Sequence, residues 1–135
     1  MCLKITPTGA AMTVRLQNTT KPIKVFKILD RDGTTYYRET PWDRKGPNVA
    51  AGTLASLGAR EVNGGAIHAF RTKAAVAAWA KTGACRRAFL VVPAYVLPRH
   101  LVAIGRFEKG DDSICATTVF GSFAAARRYA KGIVG

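Results

Sequence analysis

The chain has 135 residues, with 21 Lys and Arg against 8 Asp and Glu, so its formal net charge is +13. Hydrophobic residues make up 48% of it. This length fits one domain, which can bury a core without disulfides or a structural metal, and the hydrophobic content argues against disorder. We therefore expect a basic globular protein, although no motif in it specifies a reaction.

The ends, the apolar runs and the cysteines indicate the compartment. Met1 to Pro7 lacks the basic stretch and long apolar run of a secretory signal. The longest apolar runs have the length of a strand, far below the roughly 18 residues of a membrane span. Cys2, Cys85 and Cys115 are widely spaced, with no Cys-x-x-Cys motif. We therefore expect a cytoplasmic protein with free thiols and no membrane partner, metal or cofactor.

The first 20 residues differ in composition from the rest. They contain five Thr residues together with Gly9 and Asn18, and this small and polar composition predicts a loosely ordered N-terminal arm with a short strand at Thr13 to Leu16. The folded body is therefore expected to be a single α+β domain over residues 21–135.

A hairpin and a long loop are predicted next. Ile23 to Leu29 and Thr34 to Arg38 are rich in β-branched and aromatic residues, and the turn residues Asp30 to Gly33 separate them. Pro41 ends the second strand. Trp42 to Asn63 contains Gly, Ala and Asn without clear periodicity, which predicts a long loop of a kind that is often functional.

The second half alternates strands and helices. Ala66 to Phe70 predicts a strand, after which Thr72 can cap a helix that places Val76, Trp79 and Ala80 on one face. Further strands are predicted at Ala88 to Val92, Leu101 to Phe107 and Ser113 to Phe120. This order predicts an α+β fold, in which an antiparallel or mixed β-sheet packs against one or two helices.

A basic amphipathic helix is predicted at the C-terminal end. Ser122 can cap it, and Gly132 stands where the helix would end. Helical spacing puts Phe123, Ala126 and Ala130 on one face, with the basic residues on the opposite face.

The distribution of charge is the strongest functional signal. No acidic residue occurs before Asp30, between Glu61 and Glu108, or after Asp112, so positive charge cannot cancel locally. Such a surface attracts polyanions, and nearby aromatic rings can stack on bases. The predicted contacts are Arg71, Lys73, Arg86, Arg87, Arg127, Arg128 and Lys131 for phosphates, and Trp42 and Tyr36 for stacking. A merely basic surface and an acidic protein partner remain alternatives.

An enzymatic alternative depends on His68 and Glu108. His68 lies in a predicted strand beside apolar residues, a position more typical of a hydrogen-bonded core histidine. The second hypothesis is an enzyme that uses both residues in a pocket on the sheet.

Three segments resemble proteins of phages and prophages. They are Ile23 to Lys27, Gly65 to Thr72 leading into Ala74 and Ala75, and Leu101 to Gly105. The resemblance implies a host-takeover or anti-defence setting in the host cytoplasm, and anti-CRISPR activity is one role it raises. We therefore expect a binding protein that engages nucleic acid or a host nucleoprotein complex, or inhibits an acidic host protein.

A second resemblance is to the ADP-ribosyltransferase core. Gly64 to Phe70 leads into a helix with Ala75, Trp79 and Ala80, as a Gly-rich strand leads into a helix in that family. The resemblance implies an NAD-dependent transferase as an alternative. The chain departs from the family in having no His-Gly or Arg-Gly pair on an opening strand.

Overall fold

A computed structural model describes residues 3–35, 41–50, 61–62, 66–81, 88–106 and 113–132. Within these residues, three helices accompany a seven-stranded sheet in which every pairing is antiparallel, so the predicted α+β class is confirmed. The elements are β1 (Leu3–Lys4), α1 (Pro7–Gln17), β2 (Ile23–Asp30), β3 (Pro47–Val49), β4 (Glu61–Val62), β5 (Ile67–Phe70), α2 (Lys73–Ala80), β6 (Phe89–Val96), β7 (Leu101–Gly105), β8 (Ser113–Ala116), β9 (Thr118–Phe120) and α3 (Phe123–Ala130), with a 3-10 helix at Pro98–His100.

The large sheet is strongly curled. Its strand order is β3-β9-β6-β2-β5-β8-β7, so three strands separate β8 from β9. In a flat sheet these two strands would lie about 19 Å apart, at about 4.8 Å per step. Only Thr117 separates them along the chain, which allows at most about 7.6 Å between the flanking Cα atoms. The sheet therefore curls toward a barrel, and the segment from Ser113 to Phe120 bends from one side of it to the other.

Helix α1 covers the inner face of this curled sheet. Met12 and Leu16 pack against the largest buried cluster, which also contains Val25 and Ile104. The side chain of Thr13 accepts a hydrogen bond from the Ile104 N–H at 2.8 Å. The short strand expected at Thr13 to Leu16 is therefore wrong, because the segment is helical.

The expectation of a loosely ordered arm also needs correction over residues 3–20. Thr6 caps α1 by accepting from the Gly9 N–H at 3.0 Å, and Pro7 occupies the first turn, where its missing N–H costs nothing. Leu3 of β1 is fully buried. The segment is thus ordered by a helix cap and by burial of apolar side chains, which its polar composition does not predict.

The outer face of the sheet carries α2 and α3. Phe26 and Ile28 of β2 point outward and pack with Trp79 of α2. Tyr95 of β6 and Leu97, which follows β6, pack near α3 in the cluster that contains Ala126. Helix α2 therefore covers the side of β2 and β5, and α3 covers the side of β6 and β9.

Two strand predictions change in detail. Strand β6 continues through Pro93 to Val96 instead of ending at Val92. On the side away from β2 it pairs with β9 only at Tyr95, so Pro93, which cannot donate a hydrogen bond, lies where β6 behaves as an edge strand. The single strand predicted from Ser113 to Phe120 is divided by the bend at Thr117.

The predicted turn and caps are confirmed. The Gly33 N–H donates to the Asp30 carbonyl at 3.0 Å, which forms the hairpin turn. Most of the second strand predicted for that hairpin, at Thr34 to Arg38, lies outside the described residues. Thr72 and Ser122 cap α2 and α3. Gly132 follows α3 with φ +76°, in the left-handed region that glycine favours. None of the described helices is long and apolar enough to cross a membrane.

Candidate functional site

Two lysines lie over one phenylalanine on the outer face. The Lys24 Nζ is 5.6 Å from the centre of the Phe26 ring, and the Lys73 Nζ is 5.9 Å from it. Both lysines are exposed, whereas Phe26 is half-buried. Neither lysine forms an ion pair among the described residues. The two like charges therefore lie beside the same ring, and no described carboxylate pairs with either of them.

The same face continues across β6 to α3. Tyr95 stands directly opposite Lys24 in the pairing of β6 with β2, so the two side chains share the outer face. The Tyr95 and Phe123 rings have their centres 5.4 Å apart. Phe123 is 46% exposed, and the Arg127 guanidinium lies 5.7 Å from its centre. We call the rings of Phe26, Tyr95 and Phe123 the aromatic strip.

The exposure of Phe123 corrects the predicted orientation of α3. Ala126 is fully buried, as the predicted face requires, but Phe123 and Ala130 are exposed. Helix α3 therefore touches the sheet along a narrow line near Ala126, and the apolar ring of Phe123 is left at the surface.

The N-terminal end of α3 is fixed by the loop before β3. The Ser122 hydroxyl donates to the Lys45 carbonyl at 2.9 Å, and the Gly121 N–H donates to the Gly46 carbonyl at 2.9 Å. A Cβ at Gly121 would overlap the Asp43 backbone, so only glycine permits this approach. These contacts determine where Phe123 begins the helix.

A second group of rings lies at the C-terminal end of α3. The Tyr129 ring centre is 5.2 Å from that of buried Phe120 and 5.4 Å from that of His100. The Arg99 guanidinium stands 4.7 Å from the Tyr129 ring centre, and its Nη2 donates to the Tyr129 carbonyl at 3.3 Å. A cation at this end of a helix also complements the helix dipole. Tyr129 is 41% exposed, so this group presents a further cation and ring at the surface.

His100 lies in a half-buried position beside Arg99 and two aromatic rings. Burial, and then the charge of Arg99, lower its pKa from the ordinary value. Its Nδ1 is buried and has no hydrogen-bond partner among the described residues. Both observations indicate a packing role against Tyr129 and Phe120.

The structure brings together some of the residues predicted to bind nucleic acid. Lys73 and Arg127 lie at the aromatic strip. Arg128 and Lys131 are exposed on or next to the same helix as Arg127. Arg71 lies apart from them, half-buried, with its Nη1 3.7 Å from the Met12 sulfur of α1. Trp42 packs against the inner core, and the Lys27 ammonium lies 5.7 Å from its ring centre, so it is not part of the strip.

Other predicted positions lie outside the described residues. They are Tyr36, Arg86 and Arg87, together with residues 51–60 and 63–65 of the long loop. The part of that loop at 43–50 contains β3 and the contacts to α3.

Sequence reasoning missed three contributors to the site: Lys24, Phe26 and Tyr95. The alternation along β2 could have placed Lys24 and Phe26 on one face. Their proximity to Tyr95 depends on the pairing of β2 with β6, which no local pattern reveals.

The enzymatic alternative gains no catalytic group from the described residues. The His68 Nδ1 lies 3.1 Å from the Ala66 carbonyl oxygen, and Glu108 is outside the described ranges, so their pairing stays a prediction. Burial raises the pKa of the Cys115 thiol to about 12, which makes it a poor nucleophile. Among the described residues, no group of three or more His, Cys, Asp or Glu side chains could hold a metal ion.

No family model, curated protein or solved structure matches this chain. The resemblances to phage proteins and to the ADP-ribosyltransferase core therefore stay predictions.

Proposed function

We propose that this protein binds nucleic acid through the aromatic strip and the cations around it. The observation that carries the proposal is the approach of both Lys24 and Lys73 to the ring of Phe26, with no carboxylate paired to either lysine in the part of the chain that the structure describes. Two exposed ammonium groups beside one ring repel each other, and a phosphate bound to either of them would reduce that repulsion. Arg127 beside Phe123 repeats the combination of a cation and an exposed ring.

The charge of the whole chain supports the same partner. With a net charge of +13, the protein attracts a polyanion at long range and releases counterions when it binds one. The phage setting, an anti-defence role and a nucleoprotein target remain predictions of the sequence.

The salt dependence of binding tests the proposal. Contacts with about five phosphates, from Lys24, Lys73 and the three basic residues of α3, give a slope of log K against log salt of about −3.5 to −4.5. Affinity for a fluorescent oligonucleotide should therefore fall about 100- to 500-fold between about 50 and 200 mM salt. Absence of binding to DNA and RNA at low salt would refute the function and direct attention to an acidic protein partner.

A matched pair of variants locates the surface. The double variant Lys24→Gln with Lys73→Gln should reduce the steepness of the slope by about 1.4 to 1.8, because two phosphate contacts are lost. The control, Lys4→Gln with Arg15→Gln, removes the same charge from exposed positions on β1 and α1, which pack near β7. Equal slopes in the two variants would rule out the aromatic strip as the site.

A further inference from the structure

We infer that the aromatic strip takes a single strand, with bases stacked on its rings, and that it discriminates against duplex. This inference rests on the proposed function and specifies its substrate class. It applies to single-stranded DNA and RNA alike, since bases of both have a face that can stack.

The spacing of the rings fits successive unpaired bases. Phe26 and Tyr95 are diagonal neighbours across β2 and β6, because Phe26 stands opposite Pro93 and Tyr95 stands opposite Lys24. Diagonal neighbours in an antiparallel pair are about 7 to 8 Å apart. The next step, from Tyr95 to Phe123, is 5.4 Å between ring centres. Both steps exceed the 3.4 Å rise per base of a duplex strand, so the strip matches an extended strand.

The floor between the two helices is apolar and open. Val91, which is 38% exposed, and Pro93 lie on the same outer face of β6 as Tyr95. Helices α2 and α3 cover the two sides of this floor. Unpaired bases can bury their faces against such a surface, whereas a duplex keeps its bases stacked on each other and offers mainly phosphates.

The cations stand at both ends of the strip. Lys24 and Lys73 lie at Phe26, and Arg127 lies at Phe123, so the backbone of a bound strand has a phosphate partner at each end. Arg127 can also offer its planar guanidinium to a base. About three bases, one for each ring, fill the strip.

The closing experiment separates stacking from charge. Affinities are measured over a range of salt for a short single strand, a hairpin duplex with the same number of phosphates, and a single strand whose central sugars lack bases. The single strand should bind most tightly, and loss of its bases should weaken binding without changing the salt slope.

The variant Phe123→Ala completes the test. Loss of one stacking ring should weaken single-strand binding about 5- to 160-fold at every salt concentration, with the slope unchanged. The same variant should bind the strand without bases as the wild type does. Because the ring is half-exposed, folding should survive, which circular dichroism checks. Equal affinity for strands with and without bases would overturn the inference while leaving salt-dependent binding intact; loss of all binding in the wild type would instead overturn the proposed function.

Discussion

Replacing Thr13 by Val should destabilise the protein by removing the two buried hydrogen bonds of the Thr13 hydroxyl. Thr13 is 8% exposed and Ile104 is fully buried. The Thr13 hydroxyl accepts from the Ile104 N–H at 2.8 Å and donates to the Gly9 carbonyl at 2.8 Å. Val has nearly the same shape as Thr, so the change leaves the Ile104 N–H buried without an acceptor and opens no cavity.

The expected cost follows from that orphaned donor. A buried donor without a partner costs about 1 to 3 kcal/mol, so a loss near 2 kcal/mol in the free energy of unfolding is expected. For a chain of this length, that corresponds to a fall of about 6 to 8 °C in Tm. Thermal and urea unfolding followed by circular dichroism measure both quantities.

Two further variants make the prediction specific. Thr8→Val makes the same chemical change at an exposed position of α1 and should alter the free energy of unfolding by less than about 0.5 kcal/mol. Thr13→Ser keeps the hydroxyl and should cost only about 0.8 kcal/mol for the lost methyl group. If Thr13→Val is as stable as Thr8→Val, the hydrogen bond from the Ile104 N–H of β7 to the Thr13 hydroxyl of α1 does not contribute to stability as we expect.

Two more perturbations probe the ends of α3. Burial and Arg99 lower the pKa of His100, so as the pH falls below about 6.5 the unfolded chain takes up a proton that the folded protein does not, and the free energy of unfolding should fall. The variant His100→Phe should show a smaller loss of Tm between about pH 7.5 and pH 5.5. An unchanged pH dependence in this variant would contradict the assignment. The variant Gly121→Ala should lower the free energy of unfolding in urea by about 2 kcal/mol, because a Cβ there displaces the Asp43 backbone and breaks two hydrogen bonds at the start of α3. An unchanged urea midpoint would show that the loop accommodates the methyl group.

Local chemistry made several elements predictable. The caps at Thr72 and Ser122 are confirmed. They could be predicted because a capping side-chain oxygen lies only three residues before the backbone N–H that it accepts from, so the signal is local in sequence. Helix α1 was missed because its Thr and Gly residues have low helix propensity, and its formation depends on burial of Met12 and Leu16 against the sheet.

The site was only partly predictable for a related reason. The basic residues of α3 could be placed on one surface from helical spacing alone. The strip itself needs β2 beside β6, a pairing between segments that are about 70 residues apart in sequence. Exposure of Phe123 also depends on how α3 sits over Tyr95, which helical periodicity does not determine.

The bend at Thr117 has a consequence for synthesis on the ribosome. Strands β8 and β9 bridge the two sides of the sheet, and the inner core includes residues from Val25 to Val119. Most of the chain must therefore leave the exit tunnel before the apolar faces of β2, β5 and β6 can be enclosed. Contacts between residues this distant in sequence also lower the folding rate. We expect the nascent chain to remain sensitive to proteases and to bind chaperones until β9 emerges, and to become resistant soon afterwards.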